Sequence, residues 1–411
     1  MELLKWVLLV GGSLLLGGLY VRFLAIHPLK MSRYLFAATL VLAFLVALLA
    51  TSFRGIELLV GILLSLAFGL AGYAAMTRSL LSREDDRPLP EVVRAKGDPG
   101  LGHTAVIYFT HGEPETYDPI GWINQFKEWD EQKVPSVPFL ARPFFFHQLR
   151  KKYLKVGKSD HRKMHAQMLR SLESVFRSEG DATTRFYLSF LDDDPRPDAA
   201  VIQALNEGAS KIIVSEVFLT ISNHTAEGEE LIKALKIEDY GVPVEYTGPL
   251  YDSETLKSMF VHRANEHIGD TEKAKVGILL VGHGQPDEWD VEWPTETEHE
   301  IGFRQDILNL LEQDGYRRQN LDLAWMEFKE PKPAMKVEEF SRNGVEKLLY
   351  FSAAISADAI HSQYDVPDLV NQAKVPQGFP LINLGAWNDD PIVIQAIKEK
   401  IGALMDNDTD D

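Results

Sequence analysis

The chain contains no cysteine among its 411 residues. Disulfide bonds, thiolate zinc sites, cysteine-ligated iron–sulfur clusters and a cysteine nucleophile are therefore excluded. Any metal site has to use imidazole, carboxylate or backbone oxygen as ligands. The sequence also lacks a GxGxxG or GxxxxGK[ST] loop after any predicted strand, which argues against ATP or a nucleotide cofactor.

Positive charge is scarce as well, with 42 Lys and Arg against 60 Asp and Glu and a formal net charge of −18. The excess of acid lies in one part of the chain, because residues 1–83 carry +5 and the remainder carries −23. A domain this acidic repels phosphate backbones. Nucleic acid is therefore not an expected partner.

Long apolar runs are confined to the first 83 residues, at about 7–26, 35–51 and 58–76. Each run is close to the ~20 residues that a helix needs to cross the hydrocarbon core of a bilayer. No clear small-residue cleavage site follows the first run, so a signal peptide is the less favoured interpretation. We predict a three-helix transmembrane anchor over 1–83, followed by a Pro- and Gly-rich linker over 84–103.

Basic residues set the expected orientation of this anchor. Arg22, Lys30 and Arg33 lie at the first connection, and Arg83 follows the third run. The positive-inside rule places both regions in the cytoplasm, although Lys5 before the first run argues for the opposite orientation. We predict a multi-pass protein of the inner (cytoplasmic) membrane with its soluble domain in the cytoplasm.

Beyond the linker, the sequence repeats one pattern. A β-branched run ends in His111-Gly112, and a similar run ends in His283-Gly284. Each is followed by helical stretches, a second strand and a second histidine, which is His224 in the first copy and His361 in the second. In parallel α/β sheets, ligands bind beyond the carboxyl ends of the strands, where these histidines fall. The repeat predicts imidazoles around one cleft that suits a divalent metal.

Short Ile-, Val- and Leu-rich runs alternate with amphipathic stretches, which predicts parallel sheets covered on both faces by helices. The fold class is therefore α/β, with two similar half-domains at 104–267 and 268–411. The predicted strands are 104–110, 185–191, 211–219, 244–247, 276–282, 321–326, 347–352 and 380–384. Histidines on the helical stretches are predicted to be solvated, namely His147, His161, His165, His262, His267 and His299.

These segments, in this order, resemble the class II tetrapyrrole chelatases, which comprise the sirohydrochlorin cobalt and iron chelatases and, more distantly, the ferrochelatases. The resemblance covers roughly residues 104–404 and is strongest in AWMEFKEPKPAMKVEEF at 324–340 and HSQYDVPDLV at 361–370. The long insertion with PFFFHQLRKKYLKVG at 143–157 is closer to the ferrochelatases.

The resemblance implies a chelatase-like fold and the insertion of a divalent metal into a tetrapyrrole without ATP. The metal is then a substrate, and iron, cobalt and nickel stay open because ligand type does not select among them. By the resemblance, His283 and His361 are catalytic and bind the metal, and Glu327 takes or relays a proton. His111 and His224 are further candidate metal ligands in the first half.

Three aspartates, Asp192, Asp193 and Asp194, lie near the corresponding place in the first half. The run DDDP is also typical of a helix N-terminus, so Glu327 ranks above them. Which tetrapyrrole is the substrate stays open among sirohydrochlorin, coproporphyrin and protoporphyrin, and so does the oligomeric state.

A basic, aromatic segment spans residues 142–163 of the otherwise acidic soluble part. Arg142, Arg150 and Lys151 are predicted to bind carboxylates of the tetrapyrrole. Two other interpretations stay open, a solvated basic helix face and a patch that rests on anionic membrane lipid.

Two further function classes remain. The fold can serve as a non-catalytic, membrane-tethered carrier that binds metal or haem without inserting it. It can also be a scaffold for a membrane complex, in which the histidines are incidental.

Overall fold

A computed structural model describes residues 2–84, 87–131, 133–134 and 137–406 of the chain. Its contacts divide the protein into two compact units, and each unit is formed by two separate segments of the chain. The first unit holds Met1–Arg87 and Thr116–Lys158, and the second holds Pro88–Glu115 and Ser159–Asp411. The boundaries drawn from the sequence at 83, 103 and 267 stay predictions, and residues 85 and 86 of the predicted linker lie outside the described ranges.

The first unit begins with long helices. They are α1 (Glu2–Ala25), α2 (Met31–Ser52) and α3 (Gly55–Leu81). By length and composition, all three are able to cross a membrane. Large apolar side chains on their surfaces are exposed, which suits helices surrounded by lipid, where the backbone is satisfied within each helix.

Glycines allow α1 and α3 to pack closely. A Cβ atom on Gly17 would lie 2.0 Å from the carbonyl oxygen of Gly69, and one on Gly72 would lie 2.1 Å from that of Leu14. Small residues let the backbones of membrane helices approach each other, which strengthens van der Waals packing where no hydrophobic effect operates. The α1–α3 contact therefore depends on these two glycines.

We expect Gly17→Leu to force α1 and α3 apart and to lower the free energy of unfolding by about 1–3 kcal/mol, as overpacking does in other cores. Thermal unfolding of the full chain in detergent measures the effect. Gly11→Leu on the same helix is the matched control, because a Cβ there meets nothing within 4 Å. Equal melting temperatures for the two variants would contradict the close packing.

The second segment of the first unit is an insertion between strands of the first half-domain. It contains α4 (Ile120–Glu131), a short 3₁₀ turn (Phe139–Ala141) and α5 (Arg142–Val156). The fully buried Arg150 donates to the carbonyl oxygens of Phe23 at 2.6 Å and Ile26 at 3.0 Å. These bonds satisfy carbonyls at the C-terminal end of α1, which have no partner within the helix.

The second unit contains, over the described ranges, eight strands. They are β1 (His103–Thr110), β2 (Arg185–Phe190), β3 (Ala209–Glu216), β4 (Val244–Tyr246), β5 (Val276–Gly282), β6 (Leu321–Trp325), β7 (Lys347–Ser352) and β8 (Leu381–Asn383). They form two parallel sheets in the orders β2-β1-β3-β4 and β6-β5-β7-β8. The same order in both sheets confirms the predicted α/β architecture of two similar halves.

Helices follow the strands in both halves. They are α6 (His161–Ser178), α7 (Pro197–Asn206), α8 (Asn223–Lys233), α9 (Glu254–His267), α10 (Trp289–Glu292), α11 (Pro294–Gln313), α12 (Pro333–Arg342), α13 (Val366–Asn371) and α14 (Pro391–Asp406). One hydrophobic core runs through both halves and includes Tyr108 from the first sheet and Phe351 from the second. The halves therefore fold as one body within this unit.

Candidate active site

Four histidines lie at the carboxyl ends of the central strands. His111 directly follows β1 and His283 directly follows β5. His224 lies on the first turn of α8, and His361 begins a short π-helical turn that runs to Asp365. The ring centroids of His111 and His224 are 4.7 Å apart, and those of His283 and His361 are 5.4 Å apart.

Hydrogen bonds fix the tautomer of three of these imidazoles. His111 Nδ1 lies 2.8 Å from the carbonyl oxygen of Gly112, and His283 Nδ1 lies 2.6 Å from that of Gly284. His361 Nδ1 lies 2.8 Å from a carboxylate oxygen of Asp365. Because carbonyl and carboxylate oxygens only accept, each Nδ1 carries the proton and donates it. Nε2 then keeps its lone pair, the state in which an imidazole binds a metal.

The glycine in each His-Gly pair makes this bond possible. Gly112 has φ +99° and Gly284 has φ +82°, a region that side chains with a Cβ rarely adopt. A Cβ on Gly284 would also lie 2.8 Å from the carbonyl oxygen of Glu327. The dipeptide is therefore needed both for the turn and for the orientation of the histidine ring.

An acidic residue occupies the same place in each half. The backbone N–H of Asp192 donates to the carbonyl of His111 at 2.8 Å, and that of Glu327 donates to the carbonyl of His283 at 3.0 Å. Asp192 is thus the counterpart of Glu327, whereas the neighbouring Asp193 is paired with Arg162. The sequence alone could not separate Asp192 from the aspartates beside it.

Burial lowers the pKa of His224 well below its ordinary value, and the charges of His111 and His283 lower it further. Burial likewise lowers the pKa of His283, assisted by His361, while Glu327 acts in the opposite direction. His224 therefore responds to histidines of both halves, which makes the two pairs electrostatic neighbours. Imidazoles that are neutral at physiological pH do not have to lose a proton before they bind a metal.

Within the described ranges, no three His, Asp or Glu side chains lie close enough together to form a complete metal site. Each half instead offers a pair of imidazoles, and in the first half Asp192 Oδ2 lies 3.5 Å from His111 Nε2. Such a donor set suits a divalent first-row metal that is bound incompletely by protein and takes further ligands from elsewhere.

A buried ion pair supports the turn that carries His283. Glu300 accepts from the backbone N–H of His283 at 2.7 Å, and Arg304 lies 3.7 Å from the same carboxylate oxygen. Arg304 also donates to the carbonyl oxygens of Leu280 and Ala324, at the ends of β5 and β6. The pair therefore holds together the two strand ends that precede His283 and Glu327.

Gly282 leaves the space that this ion pair occupies, since a Cβ there would lie 2.0 Å from Glu300 Oε1. We expect Gly282→Ala to lower the free energy of unfolding by about 1–3 kcal/mol because neither buried charge can move away. Gly302→Ala is the matched control on exposed α11 surface, where a Cβ meets nothing within 4 Å. Thermal unfolding compares them, and an equal stability of the two variants would rule out the support described.

Glu296, on the first turn of α11, is protonated at neutral pH. Burial, together with the charges of Glu300 and Asp290, raises its pKa to about 8, and among the described residues its Oε2 has no hydrogen-bond partner. The folded state therefore holds this proton more tightly than the unfolded chain does. The resulting stability is complete below about pH 4.5 and is lost as the pH rises through about 8.

We expect Glu296→Gln to match the wild type in melting temperature at pH 6 and to exceed it at pH 9, because the amide cannot ionise. Thermal unfolding at the two pH values measures the difference. Glu298→Gln, at an exposed position of the same helix, is the control and should show no such pH dependence. A Glu296→Gln effect of the same size at both pH values would contradict the raised pKa.

The prediction that the helical histidines are solvated is wrong for His161 and His165. Both lie buried on α6, with ring centroids 4.5 Å apart. His165 is bonded to the Tyr108 hydroxyl at 2.9 Å, and burial lowers its pKa to about 3. These two residues face the core because α6 packs on β2 of the first sheet.

The structure gives internal contacts to two of the three residues predicted to bind tetrapyrrole carboxylates. Arg142 forms an ion pair with Asp130 and lies over the ring of Phe126, and Arg150 is bonded to the end of α1. Lys151 is exposed. All of them belong to the first unit rather than to the unit that carries the histidines.

Phe328 is a candidate that the sequence reasoning missed. It follows Glu327 directly, has φ +50° and exposes close to half of its side chain. A non-glycine residue in the left-handed region is strained, and such strain tends to persist at functional positions. An exposed aromatic ring beside the acidic residue suits contact with a flat apolar ligand.

The ferrochelatase family model matches residues 103–404 of this chain. The match covers nearly the whole second unit together with the insertion, so the chain belongs to the ferrochelatase family, within the class II tetrapyrrole chelatase superfamily. The resemblance seen in the sequence is thereby confirmed, and the chain is assigned to the tetrapyrrole metal chelatases. No curated protein sequence gives a significant match.

The solved structures that match this chain are distant in sequence. SirB from Bacillus subtilis with Fe3+ is 14% identical with a TM-score of 0.48, over 73% of this chain and 94% of that one. The sirohydrochlorin chelatase SirB from Bacillus subtilis subspecies spizizenii in complex with cobalt is 12% identical with a TM-score of 0.47, over 74% and 96%. CbiX, described as the terminal enzyme for biosynthesis of siroheme in denitrifying bacteria, is 12% identical with a TM-score of 0.40, over 73% and 98%.

Proposed function

We propose that this protein is a membrane-anchored chelatase that inserts iron or cobalt, as the divalent ion, into a tetrapyrrole such as sirohydrochlorin or a porphyrin. The observation that carries the proposal is the fixed tautomer of His283 and His361. Both rings donate through Nδ1, so both Nε2 lone pairs are available at the carboxyl end of the second sheet. The apolar helices of the first unit support the anchor, and the positive-inside rule supports a cytoplasmic soluble domain.

In the proposed reaction, His283 and His361 hold the metal through Nε2 while the ring approaches. Insertion exchanges the divalent cation for two N–H protons of the macrocycle, so the reaction needs proton acceptors and no ATP. Glu327 takes one of these protons, because its backbone is bonded to that of His283 and its carboxylate acts on the charge of that ring. The imidazole that the metal leaves behind can accept the other.

The incomplete ligand set favours insertion over storage. A carrier that keeps its metal needs a full set of protein ligands, whereas a chelatase has to release the ion to four pyrrole nitrogens. The two-imidazole arrangement of each half can deliver the ion because ring nitrogens replace protein ligands one at a time. His111, His224 and Asp192 repeat the arrangement in the first half, and they are proposed as a second place where the metal is held.

We expect His283→Ala and His361→Ala each to lower the rate of metal insertion by about tenfold or more, since each removes a ligand and an acceptor. Glu327→Gln should lower kcat and change the KM for the metal much less, because the amide keeps the shape of the carboxylate but accepts no proton. The assay follows the absorbance of sirohydrochlorin, coproporphyrin and protoporphyrin with Fe²⁺ or Co²⁺. The control is His262→Ala, at an exposed position on α9.

Wild-type rates in both histidine variants would remove the proposed site. Saturable metal binding without any metallated product, over the whole substrate panel, would instead support the membrane-tethered metal or haem carrier.

A further inference from the structure

The insertion presents large apolar side chains that are exposed among the described residues. Phe144 is 45% exposed and Leu154 is 56% exposed, both on α5, and Phe139 and Leu140 are exposed on the turn before it. We call these four side chains the apolar face of the insertion. Contiguous exposed apolar surface on a protein marks a contact with another molecule or with a membrane.

The contacts of Leu140 and Phe144 place this part of the apolar face beside the apolar helices rather than beyond their ends. The hydroxyl of Tyr73 donates to the carbonyl oxygen of Leu140 at 2.7 Å. The Phe144 ring lies 6.1 Å from the ring of Tyr20 and 6.3 Å from that of Tyr73. Tyr73 lies in α3 well before its end at Leu81, about 12 Å along the axis at 1.5 Å per residue.

Tyr20 likewise lies before the end of α1 at Ala25, about 8 Å along the axis. Both tyrosines fall within or at the edge of the apolar stretches that cross the bilayer. Tyr and Trp concentrate where hydrocarbon meets headgroups, because their rings are apolar and their tips are polar. The apolar face of the insertion therefore lies at the depth of this boundary.

A positive charge accompanies the apolar face. Lys151 is exposed and lies seven residues, or about two turns, after Phe144, so both project from the same side of α5. A lysine stem can pass along apolar surface while its ammonium reaches outward to the phosphates. Apolar side chains below and a cation above are the arrangement of a helix that lies in the plane of a membrane surface.

We propose that the apolar face of the insertion is a membrane-interfacial surface, seated in the cytoplasmic leaflet beside α1 and α3 with Lys151 at anionic phospholipid headgroups. The occupant of this surface is thus lipid. The inference rests on the membrane anchor in the proposed function, and it is independent of the chelation reaction.

The absence of cysteine from the sequence allows a direct test in the full chain, since one substitution gives one labelled site. Phe144→Cys is labelled with a nitroxide and placed in nanodiscs of phosphatidylcholine and phosphatidylglycerol. Its relaxation by oxygen, which concentrates in lipid, is compared with relaxation by a water-soluble nickel chelate. Leu42→Cys on exposed α2 is the lipid reference, and Val291→Cys, at a side chain 86% exposed in the second unit, is the aqueous reference.

We expect the label at 144 to resemble the label at 42. The ratio of relaxation by oxygen to relaxation by the nickel chelate should be several-fold higher at 144 than at 291. We also expect it to lie deeper with phosphatidylglycerol than with phosphatidylcholine alone, and Lys151→Gln to abolish that difference. A water-accessible label at 144 beside a lipid-exposed label at 42 overturns the interfacial surface. Water access at both positions overturns the anchor itself, and dipolar broadening between labels at 144 assigns the face to a second copy of the chain.

Discussion

The proposed chemistry depends on one hydrogen bond, the bond from histidine Nδ1 to the carbonyl oxygen of the next glycine. It occurs after β1 at His111 and after β5 at His283. The bond needs a backbone that turns back on itself directly after a strand, which only glycine adopts without strain. Because the carbonyl oxygen cannot donate, the proton lies on Nδ1 and Nε2 keeps its lone pair. The fold therefore determines which ring nitrogen is available to bind a metal.

The two halves support this shared turn in different ways. In the second half, Glu300 accepts from the backbone N–H of His283 and is paired with Arg304. Gly282 leaves room for these two buried side chains. In the first half two buried imidazoles, His161 and His165, lie on α6, and His165 is bonded to the hydroxyl of Tyr108. The two halves therefore share the turn after the strand and differ in the buried polar side chains on the helix packed beside it.

The sequence predicted the eight strands and the order of the two halves because buried parallel strands are apolar runs with clear ends. It also predicted four histidines after those strand ends, which the structure brings together in two pairs, while their roles stay predictions. It did not separate Asp192 from its neighbours, because only the bond to the His111 carbonyl distinguishes them. The prediction that His161 and His165 are solvated was wrong because an amphipathic helix normally buries its apolar side and exposes its polar side. The sequence does not show the partners that allow these two histidines to be buried.

The insertion gives the three apolar helices a structural role within their own unit. Arg150, fully enclosed, finds its acceptors at the end of α1, a helix that precedes it by more than a hundred residues in the sequence. A shortened chain without its first 83 residues would remove both carbonyl acceptors from this buried guanidinium group, which also contacts His147 Nδ1 at 2.7 Å. The insertion and the apolar helices consequently form one packed unit, and neither is complete without the other.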